Sequence, residues 1–268
     1  MRLVLRDVGP VREADLDLFG VTLLHGPHGA GKTAVARALS VASRILGRGS
    51  VEAREAAALI NRDAEKAVIE LGEHAVELAW GHATVKTGQH EKRLEGDLYT
   101  GVGVADIPLI WVRDGVRLFG TEADGSYTFS RLVEEVLPGL FGEGLEEALD
   151  LVNEALGPAG FQLELWGDSY TQQTAAVFRG EDGEEYEEDA VSEAVLKLAQ
   201  AAAAAAAAKR MGALLFIDGV DLLQEEYARR LFAALAKPEV PALVEIHRAD
   251  LLGGGRCYLL KDGGAGPC

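Results

Sequence analysis

Gly26-Pro27-His28-Gly29-Ala30-Gly31-Lys32-Thr33 has the spacing G-x-x-x-x-G-K-[ST] of a phosphate-binding loop. An apolar run, Val21-Thr22-Leu23-Leu24, precedes it, and a helix-like run, Ala34-Val35-Ala36-Arg37-Ala38-Leu39, follows. Strand, glycine loop and helix are the context this spacing needs. The glycines let the backbone curl so that several N–H groups face one phosphate. The helix adds the partial positive charge of its N-terminus. In such a loop Lys32 reaches the β- and γ-phosphates and the Thr33 hydroxyl ligates Mg²⁺. Gly26, Pro27, His28, Gly29, Ala30, Gly31, Lys32 and Thr33 are therefore the expected nucleotide-binding residues.

A phosphate loop needs a metal partner. Leu214-Leu215-Phe216-Ile217-Asp218 supplies one, an apolar strand ending in a carboxylate that holds Mg²⁺ directly or through water. Ala242-Leu243-Val244-Glu245-Ile246 reads as a further core strand, and His247 follows it. Residues 24, 218 and 247 all fall at carboxyl ends of strands, where open α/β sheets bind ligands. His247 there is placed to sense a γ-phosphate.

Alternating apolar and polar residues predict strands at 3–6, 14–18, 161–166 and 175–179, and a hairpin over 74–86. The first helix is expected from Lys32 to Leu46, stopping at Gly47, with Arg37, Arg44 and Arg48 on one solvated face. A second helical stretch is expected over 51–71, and strands near 92–98, 107–112 and 116–119. Residues 130–156 read as helix broken at Pro138-Gly139 and around Gly142 and Gly144. The acidic run 181–189 reads as a solvated loop. It leads into a long helix with eight consecutive alanines, 201–208, which favours close packing over disorder. Residues 224–236 form a last helix. Residues 256–261 are expected as a closing edge strand, and 262–268 as a frayed, glycine-rich tail.

A chain of 268 residues with 48% apolar content buries a core without staples. The net charge of −17 argues against nucleic-acid binding through a broad basic face, and leaves room for a local patch or a DNA-binding partner. Cys257 and Cys268 have no zinc-ligand spacing and are expected to remain reduced. The opening residues lack the apolar run of a signal peptide, and no uncharged stretch is long enough to span a membrane. A soluble, cytoplasmic protein is the expectation.

The order of parts resembles the ATP-binding-cassette class in its non-transporter branch, the chromosome-maintenance (SMC), RecF and OLD-like ATPase heads. Val8-Gly9-Pro10-Val11-Arg12-Glu13-Ala14-Asp15-Leu16 resembles that branch's N-terminal strand and turn. The phosphate loop matches its "GPNGAGKT", with His28 where asparagine is usual. Ser192 falls at the signature serine, 214–218 at the Walker B strand, and Glu245-Ile246-His247-Arg248-Ala249-Asp250-Leu251-Leu252 resembles "TTHSPELL", which gives His247 the switch-histidine position. The resemblance implies an α/β P-loop NTPase fold, an ABC-type ATPase head with a mixed sheet core, an antiparallel β subdomain and a helical lobe, without a coiled-coil arm. It implies a single head over 1–268, with lobe I at about 1–100 plus 212–268 and lobe II at about 101–211. ATP and Mg²⁺ are the implied cofactors, and an ATP-dependent homodimer the implied assembly, with Ser192 of one chain facing the nucleotide of the other. A missing guanine-reading N-K-x-D agrees with ATP.

Two departures from the family pattern stand out. The Walker B Asp is normally followed by a Glu that polarises the attacking water, and here that position is Gly219, which has no side chain to take a proton. Asp221, three residues past Asp218, either substitutes as the acid or serves as a turn residue. The signature glycine is replaced too, as Ser192-Glu193-Ala194. Both changes predict weak or absent hydrolysis. The first expectation is a nucleotide-dependent dimerisation switch serving a DNA-processing or regulatory partner. The second is an enzyme, either an ATPase that uses Asp221 or a small-molecule kinase, although no lid motif is visible. A head that binds nucleotide only for stability is the third.

Overall fold

The computed structural model describes residues 1–113, 126–127, 131–167, 174–236, 240–248, 251 and 256–268. The chain runs β1 (Arg2–Val8), β2 (Val11–Asp17), β3 (Val21–His25), α1 (Lys32–Leu46), β4 (Ser50–Glu52), α2 (Ala53–Ala57), β5 (Lys66–Leu71), β6 (His74–Ala79), β7 (His82–Thr87), β8 (His90–Glu95), β9 (Leu98–Thr100) and β10 (Leu109–Val112). Then come β11 (Ser126–Tyr127), a π-helical turn (Arg131–Val136), α3 (Leu137–Phe141), α4 (Leu145–Leu156), β12 (Phe161–Gly167), β13 (Thr174–Gly180) and β14 (Glu185–Tyr186). The last part holds α5 (Glu193–Met211), β15 (Leu214–Ile217), α6 (Glu225–Ala236), β16 (Ala242–Ile246), β17 (Arg256–Lys261) and β18 (Gly264–Pro267). The strand expected at 116–119 lies outside the described residues.

Among the described residues one sheet takes thirteen strands in the order β11-β10-β15-β16-β3-β17-β18-β2-β1-β5-β6-β7-β8. From β11 to β17 neighbouring strands are parallel. From β2 to β8 they are antiparallel. The helix α1 touches β10 and also β1, β5 and β6, which are far apart in that order, so the sheet curls around it. Val35, Ala38, Leu39, Ala42, Ile45 and Leu46 of α1 are all buried. The valine, leucine and isoleucine side chains among them contribute about 1.5–3 kcal/mol each as an upper bound.

The central parallel strands are covered on both faces, as parallel sheets require. Leu215 and Ile217 of β15 join the core on the α5 side, while Leu214 and Phe216 join the core around α1. On β16 the same alternation puts Ala242, Val244 and Ile246 toward α5 and Leu243 toward α1. Glu245, in step with Leu243, thus lies on the α1 side. Between the phosphate-loop strand β3 and the Asp218 strand β15 runs β16 alone.

The alanine tract is packed, as expected. Residues 201–208 are at most 5% exposed, and α5 contacts α3, α4, α6, β10 and β15. A methyl-sized side chain is what lets one helix touch so many neighbours. Ala204→Leu is expected to cost about 1–3 kcal/mol through overpacking, seen as a lower urea midpoint. An unchanged midpoint would show that the tract has room to spare.

Several expectations need correction. The helix predicted over 51–71 exists only at Ala53–Ala57, and Lys66–Leu71 is a strand with Ala67, Ile69 and Leu71 buried. Its period of two was masked by the preceding alanines. Residues 256–261 are no edge strand, since β17 lies between β3 and β18. The tail is ordered as β18, which pairs with β17 and bridges to Glu13 of β2. The cysteines are not free. The hairpin sets Tyr258 opposite Pro267, and Cys257 and Cys268, with Cα atoms 5.4 Å apart, form a disulfide across 11 residues. A loop of that length is worth roughly 2–3 kcal/mol in lost unfolded-chain freedom. Dithiothreitol is therefore expected to lower the melting temperature; equal melting curves with and without it would remove that contribution. The strand β10, within the segment assigned from sequence to the second lobe, runs in the main sheet beside β15.

Candidate functional site

The phosphate loop leaves β3 and enters α1 through glycines in conformations other residues avoid. Gly26 has φ +156° and a Cβ there would sit 2.5 Å from the Leu260 carbonyl oxygen of β17. Gly31 has φ +107° and its Cβ would meet Val11 at 2.5 Å and Pro10 at 3.0 Å. The Pro10-Val11 turn between β1 and β2 therefore supports the loop from beneath, which explains why the two motifs occur together.

Lys32 is 3% exposed. Its Nζ donates to the Gly26 and Pro27 carbonyls at 2.7 and 3.1 Å, and lies 3.1 Å from His247 Nδ1. Glu245 Oε1 is 3.8 Å from Lys32 Nζ and 3.4 Å from His247 Nε2. Burial pulls the Lys32 pKa below its ordinary 10.5, while the charges of Glu245 and Asp221 push it back up. Burial and then the Lys32 charge hold His247 below its ordinary 6.5, so its ring is neutral at neutral pH. An ammonium only donates. His247 Nδ1 therefore accepts from Lys32, and the ring proton sits on Nε2, facing Glu245. The His28 ring lies over that of His247, centroids 4.2 Å apart and planes 32° from parallel. Lys32, His247, Glu245 and His28, with Thr33 and Pro10, line a cavity of about 260 Å³.

The turn after β16 is fixed by Asp221. Its carboxylate accepts from the His247 N–H at 2.9 and 3.0 Å and from the Arg248 N–H at 3.0 Å. Of the two roles its position allows, these bonds describe the turn residue. Asp221→Ala strips acceptors from both N–H groups and is expected to cost about 1–3 kcal/mol, with faster amide exchange at His247 and Arg248. Protection unchanged at both amides would show that the turn holds without it.

Asp218 ends β15 at 8% exposure. Lys197 of α5, 0% exposed, lies with its Nζ 3.7 Å from Asp218 Oδ1 and 3.1 Å from the Arg113 carbonyl oxygen. Ser192 is exposed and caps α5 by accepting from the Val195 N–H at 3.4 Å. Gly219 has φ +72°, so the backbone there disfavours the side chain that the family pattern carries.

The structure thus brings His28, Gly29, Gly31, Lys32, Thr33 and His247 together at one cavity, with Gly26 beside it accepting from Lys32. It sets Asp218 beside Lys197, and Ser192 at the exposed start of α5. Ala249, Asp250 and Leu252 lie outside the described residues. Sequence reasoning missed Glu245 and Lys197. Each leaves a signal: Glu245 is an acid within an otherwise apolar strand, and Lys197 is the single charge between 194 and 208.

No family model matches the chain, and no curated protein sequence matches it. Solved structures do. The SMC head bound to the C-terminal winged-helix domain of ScpA is similar at a TM-score of 0.64 and 12% identity, over 100% of this chain and 96% of that one. The SMC head domain from Thermotoga maritima is similar at a TM-score of 0.55 and 14% identity, over 100% and 97%. The recombination mediator RecF with ATP is similar at a TM-score of 0.53 and 11% identity, over 100% and 96%. The chain has the fold of the SMC and RecF heads, with a mixed central sheet.

Proposed function

We propose that this chain binds Mg-ATP and uses it to join two copies head to tail, as a switch with weak or absent hydrolysis. The observation that carries the reading is the cavity at the start of α1, where Lys32, Thr33 and His247 converge on the space a γ-phosphate needs. RecF heads of this fold are seen with ATP. Thr33 and Asp218 are hard oxygen donors, and they would hold Mg²⁺. The described residues contain no cluster of three or more His, Cys, Asp or Glu side chains that could hold a metal, which suits an ion that takes one or two carboxylates and completes its shell with phosphates and water. Bound there, it would neutralise charge on the phosphates. In the joined state Ser192 and the N-terminus of α5 face the nucleotide held by Lys32 of the second copy.

Weak hydrolysis follows from Gly219 and from Glu193-Ala194 at the signature position. The SMC head of the same fold is bound to a winged-helix domain of ScpA, which supports a protein partner, of DNA-processing or regulatory type, as the receiver of the signal. The acidic charge disfavours direct DNA contact. No described helix is long and apolar enough to cross a membrane. The test is the mass in solution by light scattering, with and without Mg-ATP. A doubling that needs Lys32 supports the switch. An unchanged mass, while ATP is bound, removes it.

A further inference from the structure

We infer that Glu245 is the carboxylate that polarises the attacking water, in the place of the side chain missing at Gly219. The inference rests on the proposed binding of ATP and names the residue behind any turnover. An ATPase site needs a carboxylate that faces the space of the γ-phosphate. Three acids compete for this role. Asp218 sits beside Lys197 and is the proposed metal ligand. Asp221 spends both carboxylate oxygens on the backbone of His247 and Arg248. Glu245 alone among the three lines the phosphate-loop cavity, together with Thr33, Lys32 and His247. Its position follows from topology, because β16 runs between β3 and β15 and its alternation turns Glu245 toward α1.

The surroundings fit the task. The Lys32 ammonium lies 3.8 Å from Glu245 Oε1 and acts as its counter-charge. When Lys32 turns to a triphosphate, the carboxylate is released toward the γ-phosphate. The His247 Nε2–H, 3.4 Å from the same oxygen, keeps it oriented. The water oxygen then bonds to the γ-phosphorus as the bond from that phosphorus to the β–γ bridging oxygen breaks. The water proton passes to Glu245 and from there to solvent, and ADP leaves with the bridging oxygen and its electron pair. The products are ADP, phosphate and one proton.

The experiment is single-turnover hydrolysis of γ-labelled ATP with Mg²⁺, beside equilibrium ATP binding, for wild type, Glu245→Gln, Glu245→Asp and Asp221→Asn. Glu245→Gln is expected to slow turnover by about 100-fold or more while ATP affinity is unchanged or tighter. Glu245→Asp is expected to keep an intermediate rate. Asp221→Asn, which retains one acceptor oxygen, is expected to lose less than about tenfold, because it acts on the turn and not on the water. A Gln variant as fast as wild type, Gln and Asp variants of equal rate, or an Asp221→Asn loss as deep as that of Glu245→Gln overturns the inference. Wild type that binds ATP and never turns it over also overturns it and leaves the switch standing. Wild type that fails to bind ATP overturns both.

Discussion

Lys32→Ala is expected to weaken Mg-ATP binding by about 100-fold or more, the range for removing one partner of a buried, charge-assisted contact. The reason lies in what surrounds the ammonium. It is buried at 3% exposure and held by the carbonyls of the loop that it serves, so it is pre-set at the place where phosphate charge would arrive. Alanine removes that charge and leaves Glu245 facing the cavity, where a carboxylate repels a triphosphate. The measurement is a titration with a fluorescent ATP analogue. Lys32→Ala combined with Glu245→Gln is expected to recover part of the lost affinity, since the repelling charge goes too. Wild-type affinity in the single variant would mean that nucleotide binds elsewhere.

Lys197→Met is expected to be the most destabilising single change at the site. Its ammonium is fully buried and lies 3.7 Å from Asp218. Removing one member of a buried ion pair leaves an uncompensated charge and costs about 3–5 kcal/mol. For a chain of this size that lowers the melting temperature by roughly 6–20 °C. The double variant Lys197→Met, Asp218→Asn is expected to be more stable than Lys197→Met alone, because the buried charge that faced the ammonium is removed with it. Strictly additive losses would show that the two side chains do not interact. The pair ties α5, which Ser192 caps, to the end of the strand that the proposed metal ligand follows.

What could be read from the sequence is what is local. The phosphate loop, Asp218 and His247 are each marked by a few neighbouring residues of fixed type. The bounds of α1 were legible for the same reason, because Gly31 and Gly47 punctuate an amphipathic run. What stayed hidden depends on strand order. Glu245 is an unremarkable strand residue until β16 is known to lie between β3 and β15. Lys197 reads as one polar residue on a helix until α5 is found buried on all sides, with the end of β15 against its first turns. The disulfide needed the β17–β18 hairpin, whose glycines suggested fraying while their backbone groups were in fact paired. The strand β5 was lost because alanines before it favour helix locally and the sheet overrides that preference.

The position of β17 and β18 has a consequence for synthesis. The loop-bearing strand β3 emerges early from the ribosome, yet both of its sheet neighbours, β16 and β17, are made more than two hundred residues later. The turn at Pro10 that supports Gly31 is held by backbone bonds from Arg12 and Glu13 to the Gly263 carbonyl at 2.7 and 3.0 Å. A nascent chain that has not yet delivered residues 256–264 therefore lacks both walls of its phosphate loop. Contacts of such long sequence separation form late. The proposed nucleotide site would thus gain both supports only once residues 256–264 have been made.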